Sequence, residues 1–247
     1  MIPQIIHFIW FGKGKYNERI QACIDSWHRY LPNYKFKLWN EETFDISNSC
    51  QFVQEAYVSH KFAFVSDYVR LYALYYEGGI YMDTDIEVIK PFDLSLLEKP
   101  GVLSLDDGGY LSALMMSAPK QAFFKEMLDF YDGMKFLQED GSFNMEVNNT
   151  FLQDKLIKLG YRQENTFQEL DNGFVAFPDD YFHCRSLITG KLNKTENTYT
   201  IHWHTITWVS MKTKVINFLR INMLVPLLGE KLYSKLTNKF KGDATTF

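Results

Sequence analysis

Cysteine is scarce: Cys23, Cys50 and Cys184 are widely separated, with no Cys-x-x-Cys pair. That excludes a disulfide scaffold and a thiolate zinc site, and it suits a reducing compartment. No apolar run approaches the ~18–20 residues that span a bilayer, so no membrane-crossing helix is expected. The opening residues, Met1 to Trp10, lack a basic stretch and carry Pro3, and they do not read as a signal peptide. A cytoplasmic protein is the expectation. Positive charge is not in excess either. With a net charge of −4, the chain lacks the basic footprint that nucleic acid requires. Gly-x-Ser-x-Gly, the P-loop and Gly-x-Gly-x-x-Gly are all missing, so hydrolase, NTPase and dinucleotide readings have no motif behind them.

What remains is an ordinary globular composition with one excess, aromatic side chains at 17%. Most such rings belong in a core, although aromatic faces also stack on sugars and bases. A length of 247 residues allows one domain, or one domain and a small appendage. Residues 5–11 read as a buried first strand closed by Gly12 and Gly14. Ile20, Cys23, Ile24, Trp27 and Tyr30 recur at helical spacing, and 34–39 alternates as a second strand. Helix is expected over 55–76, in one or two pieces, and a single strand over 80–89. Short strands follow over 102–105 and 111–117, helices over 121–131 and 148–159, and a late strand over 198–204. Strands alternating with helices define an α/β fold with parallel members, and ligands at the strand C-terminal ends.

The tail differs in charge. Between 212 and 241, six lysines and Arg220 face Glu230 alone, a net of +6, which leaves −10 elsewhere. Val215, Ile216, Leu219, Met223, Leu227, Leu228, Leu232 and Leu236 recur at helical spacing. The expected division is a domain over 1–211 and a basic amphipathic helical extension over 212–247. Such a segment either docks on the core with its lysines in water or lies on an anionic membrane, here the inner face of the plasma membrane.

The chemistry concentrates at 64–87, where a helix stops at Gly78-Gly79 and runs into Ile80-Tyr81-Met82-Asp83-Thr84-Asp85. Side chains alternate along a strand, so Asp83 and Asp85 are expected on one face. Paired carboxylates repel unless a cation sits between them, and hard divalent ions prefer carboxylate oxygens. The alternative is a solvated turn. Asp67 and Arg70 are three apart on a helix and therefore neighbours, either a surface ion pair or groups lining a cleft. His202 and His204, two apart, are further candidate ligands; the bland alternative is a pair of half-buried histidines beside Trp203. Trp208 is expected to cap a ligand or the core. His7, His28, His60 and His183 read as structural.

Ile2-Pro-Gln-Ile-Ile-His-Phe-Ile-Trp-Phe-Gly, Ser66-Asp-x-x-Arg70 and Tyr76-Glu-Gly-Gly-Ile-Tyr-Met-Asp-Thr-Asp85 together resemble glycosyltransferase family 32. The resemblance covers 2–92 and returns weakly at 199–208. It implies a GT-A fold, with a mixed central sheet flanked by helices and a Rossmann-like nucleotide-binding half. It also implies Mn²⁺ or Mg²⁺, a nucleotide-sugar donor such as a UDP-hexose or GDP-mannose, a glycan or lipid-linked glycan acceptor, and retention of anomeric configuration. A role in capsule or surface polysaccharide synthesis is a further implication. By position, the resemblance places Trp10 near the base, Asp67 and Arg70 on the donor sugar, Tyr81 along the nucleotide, Asp83 at the ribose or the ion, and Asp85 on the ion directly. Ser66 belongs to the same motif, and Asn149, next to Asn148, is a further donor contact. The family's late His-His-Trp-x-Gly-Ser-Trp stands here as His202-Trp203-His204-Thr-Ile-Thr-Trp208, which leaves the choice between His202 and His204 open. The rival readings are a metal-dependent phosphoesterase and a calcium-holding carbohydrate-binding module.

Overall fold

The computed structural model describes residues 1–104, 113–144, 149–205, 211–229 and 232–233. A seven-stranded mixed sheet forms its centre, in the order β2-β1-β3-β6-β5-β8-β7. Strands β1 (Ile5–Ile9), β2 (Lys35–Trp39) and β3 (Gly79–Met82) run parallel. Strand β6 (Leu114–Ser117) lies antiparallel to both β3 and β5 (Gly101–Ser104). Strand β8 (Val175–Phe177) is parallel to β5, and the short β7 (Gln168–Glu169) closes that edge. A separate ribbon pairs β4 (Ile86–Val88) with β9 (Thr200–His202), setting Ile86 opposite His202. The α/β class and the mixed sheet agree with the expectation.

Alternation along the strands divides the core between two faces. Tyr81 and Met115 point to one face, packed by helices α2 (Gln51–Val58), α3 (Phe62–Tyr76), α5 (Ala122–Asp132) and α6 (Asn149–Lys158). Ile80, Met82, Leu114 and Met116 point to the other, against α1 (Glu18–Tyr30), α4 (Leu94–Leu97) and α7 (Asp179–Phe182).

Helix α1 shows how local sequence fixes the site. The Asn17 side chain caps it by accepting from the Ile20 amide, a contact worth ~1 kcal/mol. His28 and Arg29 sit in its last turn, where the helix dipole favours cations. Its buried face then grips β4: Trp27 Nε1 donates to the Ile86 carbonyl at 2.6 Å, and Ser26 Oγ accepts from the Val88 amide at 2.9 Å.

Two strand expectations change. Residues 80–89 form two strands, with Asp83-Thr84-Asp85 as the turn between them. The Asp83 amide bonds to the Ala113 carbonyl, but the Ile86 amide turns back to the Asp83 carbonyl at 3.1 Å. β3 belongs to the large sheet and β4 to the ribbon, so the chain must bend at the acids. The late strand is likewise shorter than 198–204, because β9 can pair only with the three residues of β4.

The Gly78-Gly79 stop is as expected. Both have positive φ, +66° and +101°, and a Cβ on Gly79 would come within 2.7 Å of the Ile5 carbonyl. Only glycine lets β3 enter beside β1 there. The three cysteines are free, with Cys23 and Cys184 buried.

The tail continues as α8 (Met211–Leu219), a π-helical turn (Arg220–Leu224) and α9 (Val225–Leu228). Arg220 Nη2 donates to the Leu187 carbonyl at 3.1 Å. Val215, Ile216, Phe218, Met223 and Leu227 are nevertheless exposed. Among the described residues no helix is long and apolar enough to cross a membrane.

Candidate metal and donor site

The β3–β4 turn, the end of β9 and the middle of α3 meet at the C-terminal end of β3. One ligand atom each from Asp83, Asp85 and His202 lies within 4.8 Å of the other two. The Asp85 side chain is fixed from both sides. Its Oδ1 lies 3.3 Å from His202 Nε2, and its Oδ2 accepts from the Thr205 amide at 2.5 Å. Burial opposes the Asp85 charge, but His202, the Thr205 amide and His204 outweigh it and hold the carboxyl down to about 2. Asp85 is therefore an anion at neutral pH.

Asp83 is built differently. Tyr81 donates its hydroxyl to Asp83 Oδ1 at 2.5 Å. Burial keeps that phenol well above its ordinary value, with Arg70 pulling against it and Asp83 adding to the shift. Burial first, then the Asp85 charge, raise the Asp83 carboxyl, while Arg70 pulls it down. The Asp83 side chain is 31% exposed against 12% for Asp85 and 10% for His202, so the trio opens toward solvent on the Asp83 side. Two carboxylates and one imidazole suit Mg²⁺ or Mn²⁺, and three protein donors leave positions for a diphosphate. The residues fit such an ion. A cation there would also relieve the repulsion that raises Asp83.

Arg70 completes the corner. Its Nη2 lies 2.9 Å from Asp67 Oδ1 and 3.8 Å from Asp83 Oδ1, and its guanidinium sits 4.8 Å from the Tyr81 ring centroid. Tyr81 and these two acids hold the Arg70 charge in place despite nearly complete burial. The pair is thus a cleft group rather than a surface bridge.

The remaining candidates divide. His204 adopts φ +52° just past β9, and its Nε2 meets the Arg185 carbonyl at 2.9 Å. Burial, then His202, lower its pKa to about 3. It packs on His202 with ring centroids 3.9 Å apart but stands outside the close trio. Ser66 turns its hydroxyl back to the Phe62 carbonyl, and Trp10 Nε1 donates to the Gly14 carbonyl while its ring packs edge-on against Tyr16. Asn149 opens α6. Trp208 and Asn148 lie outside the described residues.

Of three further features, one had no signal in the sequence, and two, His183 and His7, keep the structural reading given there. The Thr205 amide is a backbone group whose role depends on the turn after β9. His183 is fully buried, shares a hydrogen bond of 2.6 Å with Ser104 Oγ, and sits 5.3 Å from the His202 ring. His7, buried and kept neutral, accepts from Trp39 Nε1 at Nδ1 (3.0 Å) and so donates from Nε2 to the Gly78 carbonyl (2.7 Å). That bridge braces the turn leading into the acids.

Comparison with known proteins bears on this corner directly. Residues 17–101 match the family described as glycosyltransferase sugar-binding region containing DXD motif. The matched third of the chain holds Asp67, Arg70, Tyr81, Asp83 and Asp85. Over 139 residues the chain is 30% identical to inositol phosphoceramide mannosyltransferase 1 of Schizosaccharomyces pombe, covering 51% of this chain and 42% of that protein. Over 82 residues it is 39% identical to glucan organizing enzyme 1 of Cryptococcus neoformans, covering 29% and 22%. The chain thus spans less than half the length of either relative. Among solved structures, PaToxG glycosyltransferase superposes with a TM-score of 0.45 at 20% identity, over 64% of this chain and 70% of that one. A glycosyltransferase involved in glycosylation of the major capsid of PBCV-1 also gives 0.45, at 11% identity over 90% and 100%. Superpositions that loose carry no functional argument.

Proposed function

We propose that the chain is a metal-dependent glycosyltransferase. In this reading it moves a hexose or N-acetylhexosamine, with retention, from a nucleotide sugar to a glycan or lipid-linked glycan in capsular or surface polysaccharide synthesis. The observation that carries it is the Asp83–Asp85–His202 trio beside the Asp67–Arg70 pair, in a segment matching a DXD sugar-binding region. Asp85 and His202 are the fixed ligands and Asp83 the open one. A divalent ion held there supplies neutralisation of the charge that develops on a departing diphosphate. Arg70 and Asp67 offer rigid donors and acceptors to the hydroxyls of the transferred sugar. Trp10 and Tyr81 line the nucleotide. The mannosyltransferase relative makes GDP-mannose a donor to test beside the UDP-hexoses.

The test is melting of the protein with UDP-, GDP- and CMP-sugars, each with and without Mn²⁺, followed by turnover of the stabilising donor. Stabilisation that needs nucleotide and metal together is expected, by binding linkage. Near-normal turnover by Asp85→Asn would refute the assignment. Phosphate-ester cleavage indifferent to any acceptor would favour a phosphoesterase, and sugar affinity with no donor turnover a binding module.

We further propose the division at 211/212, with the extension resting on an anionic membrane. Its net charge of +6 and its exposed Val215, Phe218 and Leu227 support that placement. Co-sedimentation with phosphatidylserine vesicles, and not with neutral ones, is the expected result.

A further inference from the structure

A second concave surface lies on the other side of α3. It is a groove of about 430 Å³ at the β2 edge of the sheet, floored by Trp39 and walled by Tyr68, Tyr72 and Tyr76. The 3.6-residue period sets these tyrosines roughly 150° around the helix axis from Asp67 and Arg70. The groove is therefore separate from the donor corner.

Its wall is regular. Neighbouring rings are tilted by only 31° and 35°, with centroids 6.4 and 4.4 Å apart, so they make a continuous aromatic surface. Trp39 and Phe44 hold Tyr72 edge-on at 5.9 and 5.4 Å. The three tyrosines recur every four residues, about 6 Å apart along the axis. Among the described residues none of their hydroxyls has a hydrogen-bond partner within the chain. Opposite stands a polar wall containing Thr43, Asp45 and Asn48.

Charge decides what fits. Lys37 is paired with Glu77 at 2.5 Å, which leaves Asp45 as the net charge of the lining. Asp45 already accepts from Ser47 and Asn48. The lining thus carries a single negative charge already engaged by hydrogen bonds within its own loop, so it repels phosphates and offers a basic peptide little. Neutral glycans match the remaining features. Their C–H faces carry the slight positive charge that aromatic surfaces attract, and their hydroxyls both donate and accept, as tyrosine hydroxyls do.

We infer that the groove over Trp39, Tyr68, Tyr72 and Tyr76 binds a neutral oligosaccharide at a site distinct from the donor corner. The inference goes beyond the transferase reading, and its readout needs neither donor nor metal.

The test is binding of the full chain to a panel of neutral gluco-, galacto- and manno-oligosaccharides, by calorimetry without nucleotide or Mn²⁺. The expected result is that at least one series binds. The triple change Tyr68→Phe, Tyr72→Phe, Tyr76→Phe keeps the rings and should weaken that binding roughly tenfold or more. Tyr76→Ala, at a residue already 46% exposed, should weaken it with unchanged melting. Asp85→Asn should bind like wild type. Failure of the whole panel to bind wild type overturns the inference, as does binding lost in Asp85→Asn but indifferent to the tyrosines. Loss of donor turnover alone would count against the transferase reading and leave this one standing.

Discussion

Helix α3 presents two unlike faces. One carries Asp67 and Arg70 into a corner where charges are paired, buried and fixed by neighbours. The other carries Tyr68, Tyr72 and Tyr76 into a groove where rings are partly exposed and, among the described residues, hydroxyls have no partners. Both sides touch the same core, yet they use it differently. Buried charge demands compensation from several elements at once, which is why α3, β3 and β9 all contribute. Aromatic rings need only packing beneath them, so one helix and one edge strand suffice. The first arrangement gives preorganisation around developing charge. The second gives an open wall suited to weak, extended contact.

Breaking the charged face should have the largest effect. Asp85→Asn removes an anion held by His202 and Thr205, and donor turnover is expected to fall by about a thousandfold or more. Arg70→Met removes the buried cation that faces both Asp67 and Asp83. A loss of about 2–3 kcal/mol is expected in urea unfolding, discounted because both acids are partly exposed.

A smaller effect lies beneath the corner. His7→Gln interrupts the bridge from Trp39 to Gly78, at a cost of about 1–3 kcal/mol. The imidazole also gives a pH signature. Burial lowers its folded pKa below 6.5, so the unfolded chain takes up the proton first. The stability that neutral His7 contributes is whole above 6.5 and is lost as pH falls through that value toward the folded one. The urea midpoint of His7→Gln should therefore depend less steeply on pH than that of wild type across this window. On the open face, Tyr76→Ala should shift stability by no more than ~0.5 kcal/mol while still reducing glycan affinity.

Much of the site was legible because its residues lie close together in the chain. Asp67, Arg70, Tyr81, Asp83 and Asp85 fall within twenty residues, and the glycine pair marked where helix gives way to strand. The bend at Asp83-Thr84-Asp85 was not legible. A run such as Ile80 to Ile89 looks uniformly like strand, and only its change of partner, from β1 and β6 to β9, shows where it must break. The choice between His202 and His204 was hidden for the same reason. Their spacing suggests one face, but the ribbon ends at His202 and the chain turns His204 toward Arg185. The tyrosine row was present as a four-residue spacing within an aromatic-rich helix, indistinguishable by composition from core.

By itself, the order of residues determined the α/β alternation, the acids and their cationic neighbour, and the glycine hinge, because each is a local pattern of hydropathy, charge or backbone freedom. Folding decided that His202 rather than His204 closes on Asp85 from 117 positions away, and that three tyrosines face a groove rather than the interior. Those outcomes depend on which surfaces meet, and contact between distant segments leaves no periodic mark in a sequence.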